Sequence, residues 1–181
     1  MRKARVSITA LVVLFAVTIC SFAATDYYTK FNLHYYLRGE TLVSSYANYV
    51  GNFPGHLFLP VNTKVHIGRW ENGFSVRVLE SNQLIHFEFH AQRMGMGVKA
   101  YQKLLFSTEE VSYDDMSDLD KSGITNAEVE EGMTKDAVKA AWGYPAKHRT
   151  PTLAVDRWVY WSNRFKTITV LFEEDKVISV R

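Results

Sequence analysis

The chain has 181 residues, a formal net charge of +2, one cysteine, and hydrophobic and aromatic contents of 47% and 14%. A balance this close to neutral carries no global nucleic-acid signature, and a lone cysteine rules out a disulfide framework. The apolar content is that of packed cores, not of extended disorder.

Arg2, Lys3 and Arg5 precede an apolar run from Val6 to Phe22, and Ser21-Phe22-Ala23 places small residues where a signal peptidase reads. Residues 1–23 are therefore expected to be a signal peptide and the mature chain to be exported. Two alternatives stay open. The run approaches the roughly twenty residues of a membrane anchor, and Cys20 is a lipidation candidate, although Ile19 occupies the position where lipoprotein processing wants a small residue. Cleavage removes three of the 21 basic residues against 19 acidic ones, which leaves a balance of −1.

Residues 24–107 read as a β-rich, SH3-like small barrel. Val65 and Ile67, then Phe74, Val76 and Val78, then Ile85, Phe87 and Phe89 mark three alternating strands. Trp70-Glu71-Asn72-Gly73 and Glu80-Ser81-Asn82-Gln83 are the expected hairpin connections. Tyr27, Tyr28, Tyr35, Tyr36, Tyr46 and Tyr49 crowd the segments before them; their density suits a ligand surface, but aromatic residues are ordinary strand formers and sheet packing is the expected role. His86, Glu88 and His90 alternate along the third strand, so one sheet face would carry two imidazoles and a carboxylate, a possible metal set, although a polar solvent face gives the same letters. Val98 to Phe106 reads as a short helix with Val98, Tyr101 and Leu105 on one face.

Residues 108–123 form an acidic connector. Glu109 to Glu131 holds nine carboxylates against Lys121 alone. Asp118-x-Asp120-x-Ser122-Gly123 copies the opening of a calcium loop, but the twelfth position, which needs a bidentate carboxylate, is Val129. A helix end or turn is expected there instead.

The last third, 124–181, is the most patterned. Thr134 is a good N-cap, Asp136 suits the positive helix end, and Met133 and Val138 stand where a hydrophobic staple closes. Gly143 and Pro145 end the helix. Trp158 and Tyr160, then Ile168, Val170 and Phe172, then Val177 to Val180 read as a β-meander. Carried by Gly132-Met133-Thr134, Val138, Gly143-x-Pro145, Trp158-x-Tyr160 and Val170-x-Phe172, this segment resembles the SmpA/OmlA (BamE-like) family of outer-membrane assembly lipoproteins. The resemblance implies an α+β fold in which a small β-barrel-like region precedes a BamE-like domain of helices packed on a three-stranded antiparallel sheet. It also implies a non-catalytic role at the Gram-negative envelope.

Lys147, Arg149, Arg157, Arg164 and Lys166 cluster around the expected hairpin, a candidate binding edge for anionic lipid or an acidic partner. No nucleophile elbow, supported S-x-x-K motif or phosphate-binding glycine loop occurs in the sequence. The expectation is thus a non-enzymatic periplasmic or outer-membrane protein without a cofactor, acting by protein–protein contact in outer-membrane assembly or maintenance. The alternative is a binding module for cell-wall glycan or peptide.

Overall fold

The computed structural model describes residues 25–51 and 53–181. The leader at 1–23 and Cys20 lie outside the described residues.

The strands in chain order are β1 (Tyr27–Thr29), β2 (Leu33–Arg38), β3 (Thr41–Ser45), β4 (His56–Leu59), β5 (Lys64–Trp70), β6 (Gly73–Val78), β7 (Leu84–Glu88) and, after two helices, β8 (Phe106–Ser107). They build one eight-stranded sheet in the order β4-β2-β3-β7-β6-β5-β1-β8. Every pairing in it is antiparallel except β3 with β7. Alternation decides which side is filled: Phe74, Val76 and Val78 of β6 and Ile85 and Phe87 of β7 are all buried, with Phe74 stacked on Phe87 at 4.5 Å. The helix α1 (Ala91–Met94) is a single turn, and α2 (Val98–Leu105) covers the inner face, its Tyr101 ring 5.7 Å from that of Phe87. Each such apolar side chain contributes about 1.5–3 kcal/mol through burial.

Two further helices, α3 (Asp118–Asn126) and α4 (Lys135–Trp142), precede a three-stranded sheet of β9 (Arg157–Trp161), β10 (Thr167–Glu173) and β11 (Lys176–Val180), ordered β11-β10-β9. A second core gathers Met133, Val138, Trp142, Trp158, Tyr160 and Phe172. Locally, α4 forms for the reasons its sequence advertises. The Thr134 hydroxyl accepts from the Ala137 N–H at 3.2 Å, and both staple residues, Met133 and Val138, are wholly buried. Gly143 ends it at φ 74°, ψ −167°, a conformation essentially restricted to glycine, and its carbonyl accepts from the Tyr160 hydroxyl at 3.0 Å. Pro145 follows in the connection to β9, and Gly132, at φ 92°, carries the chain into the Thr134 cap.

The α+β expectation is corrected by this architecture. The molecule is a mostly-sheet fold, a curled eight-stranded half-barrel sheet plus a three-stranded sheet with few short helices, and not a small barrel followed by a BamE-like domain of helices on a three-stranded sheet. The physical reason lies in the first forty described residues. Their tyrosine pairs fall in β1 and β2, which with β3 and β4 enlarge the sheet beyond a small barrel, while α4 is tied to that large sheet through its own C-terminus. The last carbonyls of a helix lack intrahelical partners. Here the Ala140 carbonyl accepts from the Asn32 N–H at 2.9 Å and the Ala141 carbonyl bonds His34 Nε2 at 2.8 Å, while Asn32 Nδ2 donates to the Ile124 carbonyl at the end of α3 at 2.6 Å. Asn32, just before β2, thus caps both helices, and His34 within β2 adds a second bond to α4.

The calcium-loop pattern folds differently from its sequence match. Asp118 to Gly123 lie within α3, whose N-cap is Ser117. Both Asp120 oxygens are engaged, one by the Ser117 hydroxyl at 2.9 Å and the other by the Thr134 N–H at 2.8 Å. Gly123 serves close packing, since a Cβ there would come within 2.5 Å of the Met133 sulfur.

Candidate functional site

Cross-strand register places Tyr36 opposite Val43, Val43 beside His86, and Ser45 beside Glu88. Directly paired residues share a face, so Tyr36, Arg38, His86 and Glu88 all stand on the outer side of the large sheet. On that side Arg38 donates to Glu88 at 2.7 Å, and the Glu88 carboxylate pulls the Arg38 guanidinium above its ordinary pKa. The Tyr36 ring packs at 5.7 Å from Tyr49 and 5.9 Å from Phe53. Burial raises both tyrosine hydroxyls, so they remain neutral donors over the physiological range. The β9–β10 hairpin brings Asn163 and Arg164 across from them, and the seven side chains line a cleft of about 450 Å³. A parallel bridge between Tyr49 and Trp161 fixes that hairpin against the large sheet.

A second group of rings continues from this cleft. Tyr46 lies between His90, at 5.9 Å, and His148, at 6.4 Å, and Arg93 sits over its ring and donates to its hydroxyl. His148 stacks on Trp161 at 6.3 Å, and Arg149 lies 5.8 Å from the centre of the same indole. Burial, and then the charges of Arg93 and Arg149, lower the His148 pKa, which keeps this imidazole neutral at physiological pH. The result is a face of stacked rings interleaved with guanidinium groups. Such a face offers flat apolar contact and charged hydrogen-bond donors together.

Two sets of candidates that the sequence kept apart meet here. From the basic cluster, Arg164 lines the cleft and Arg149 covers Trp161, and Lys147 lies against Gly95, where a Cβ would come within 3.2 Å of its ammonium. Lys166 closes the hairpin, its carbonyl accepting from the Ser162 N–H at 2.8 Å. Arg157 departs from the cluster: it pairs with Leu171 at the opposite end of β9, about 13 Å along the strand from Trp161. The five residues therefore do not share one edge.

His86, Glu88 and His90 do not converge. His86 lies half-buried under Trp70 at 4.9 Å, Glu88 turns to Arg38, and His90 stands beyond the strand as the N-cap of α1. Among the described residues no three His, Cys, Asp or Glu side chains are grouped to hold a metal. The structural residues Gly132, Met133, Thr134, Gly143, Trp158, Tyr160 and Phe172 all belong to the second core or its caps.

Sequence reasoning missed Arg38, Phe53, Asn163 and the cleft itself. The signal available was the tyrosine density, which divides by position: Tyr35 faces the core at 6% exposure, whereas Tyr36 and Tyr49 stay partly open and line the cleft. The chain matches no family model, no curated protein and no solved structure in the comparisons made with them.

Proposed function

We propose that this is an exported, non-catalytic binding protein of the Gram-negative cell envelope, which holds an anionic cell-wall glycan in the cleft between β2, β7 and the β9–β10 hairpin. The observation that carries the reading is the composition of that cleft: aromatic walls from Tyr36, Tyr49 and Phe53, and polar ends from Arg38, Glu88, Asn163 and Arg164. Sugar rings present apolar C–H faces that stack on aromatic planes, and hydroxyls and carboxylates that suit arginine, carboxylate and amide partners. The volume, about 450 Å³, falls in the range of small-ligand sites. Arg149, Arg93 and Lys147 beyond the cleft supply a positive field along which an acidic polymer would extend.

The test is binding of soluble muropeptides, compared with neutral chito-oligosaccharides and with anionic vesicles, by titration calorimetry. Tyr36→Ala and Arg164→Ala should each weaken muropeptide binding by about tenfold, the arginine effect shrinking in high salt. Binding of anionic vesicles with no binding of muropeptides would replace the glycan by a lipid headgroup. Protein–protein contact in outer-membrane assembly or maintenance is the second reading, and a different surface favours it.

A further inference from the structure

A β-sheet edge exposes unpaired backbone donors and acceptors, and proteins ordinarily cover, shorten or charge such edges. On the large sheet, β8 is only two residues long. On the small sheet, β9 is covered by the Val50 N–H bonding the Trp161 carbonyl at 2.9 Å and by the Thr150 hydroxyl accepting from Val159. Its other edge, β11, is covered by residues Gly132 and Met133, which exchange bonds of 2.7 and 2.8 Å with Val177. Only β4 differs. Leu57 and Leu59 face Tyr35 and Leu33 of β2 in the hydrogen-bonded positions of the ladder, whereas the N–H and C=O of Phe58 between them point outward and, among the described residues, bond to nothing.

Beside that free edge runs a groove of about 650 Å³, the largest of the clefts described. Its far wall is the extended segment after α3, and its apolar surface includes Phe58, Val129 and Trp142. Glu128 and Glu130 stand on the lip, both exposed and neither in an ion pair among the described residues. Leu57 is 48% exposed. An uncovered strand edge, a parallel apolar trough and an acidic rim define one kind of occupant: an extended chain whose alternate side chains are apolar, toward the trough, and basic, toward the rim.

We propose that β4 accepts a basic, extended segment of a partner protein as an added strand. Backbone bonding to β4 supplies the grip, and Glu128 and Glu130 select the charge. None of these residues belongs to the glycan cleft, so this surface stands or falls separately from that reading.

The experiment uses a fluorescently labelled decapeptide of alternating lysine and valine as the probe, with two comparison peptides. One carries N-methyl groups at alternate residues on the bonding edge, and the other replaces lysine by glutamate. Fluorescence anisotropy measures binding to the full chain, and amide hydrogen exchange reports on β4. Saturable binding of the lysine peptide is expected, with slowed exchange at the outward amide of Phe58 and about tenfold weaker binding of both comparison peptides. The double variant Glu128→Lys/Glu130→Lys, on the exposed lip, should lose about tenfold in affinity and keep its melting temperature. Phe58→Pro should abolish binding by removing the outward N–H of the edge; if it fails to fold, the lip variant still decides. Equal affinity for the N-methylated peptide, unchanged exchange at β4, or no binding of the lysine peptide would overturn the proposal. Loss of glycan binding in Tyr36→Ala would leave this result untouched.

Discussion

Replacing His34 by glutamine should remove a proton-linked loss of stability that the native chain suffers in mild acid. His34 is fully buried between β2 and α4, with Nε2 2.8 Å from the Ala141 carbonyl and Nδ1 3.0 Å from His56 Nε2. A carbonyl can only accept, so Nε2 carries the hydrogen, Nδ1 is a lone pair, and His56 Nε2–H is the donor between the rings. A proton on Nδ1 would eject that donor and place a charge where no solvent reaches. Burial accordingly pushes the His34 pKa down to about 3, from 6.5, against the opposing pull of the Ala141 carbonyl. The sign follows from linkage. Between these values the unfolded chain holds a proton that the folded chain refuses, so stability is complete above about pH 6.5 and falls as pH falls. For this one group the loss is about 2 kcal/mol at pH 5 and about 3 kcal/mol at pH 4. His56 and His148 also have lowered values, both chiefly through burial, and contribute in the same direction. The comparison of wild type with His34→Gln isolates the single site, because a glutamine amide can still donate to Ala141 without titrating. Urea unfolding at about pH 7.5 and pH 5 should show the variant less stable at the higher pH, by about 1–3 kcal/mol, and the gap narrowed by about 2 kcal/mol at the lower one. A gap that stays constant across that range would refute the assignment of a buried neutral imidazole.

Trp158→Ala should cost about 3–5 kcal/mol, since the ring is 1% exposed and its Nε1–H donates to the Val155 carbonyl at 3.1 Å; a melt should fall by roughly 6–20 °C. Gly143→Val should cost at least about 1–3 kcal/mol, because the backbone there excludes side chains and a Cβ would meet Asn48 Nδ2 at 2.6 Å; an unchanged melting midpoint would mean that the helix ends elsewhere. Arg157→Ala should leave muropeptide binding unaltered while Arg164→Ala weakens it, a contrast that separates the cleft from general surface charge. The leader reading predicts a mature N-terminus at Ala24, checked by N-terminal sequencing of protein from the envelope; an intact Met1 or a lipid-bearing Cys20 would overturn it.

What could be read from the sequence was local. Alternation along Phe74, Val76 and Val78 announced a strand because side chains of one strand choose their face by parity alone. Thr134, Met133, Val138 and Gly143 announced α4 because a cap, a staple and a glycine terminus act within a few residues of one another. The order of these signals also suggested a familiar helix-and-meander domain, and there the inference failed. Local signals say where a strand lies and not how many others it joins, so nothing near Gly143 revealed that Asn32 and His34, at the entry to β2 a hundred residues earlier, would cap α4. The site shows the same division. Glu88 and Arg164 were both visible as charged residues, but their meeting depends on the parallel pairing of β3 with β7 and on the Tyr49–Trp161 bridge that folds the hairpin back. Composition and periodicity determined the elements and their inward faces. Pairing between distant segments, set by which backbone edges and helix ends found partners, alone decided the eight-stranded sheet, the cleft and the uncovered strand beside it.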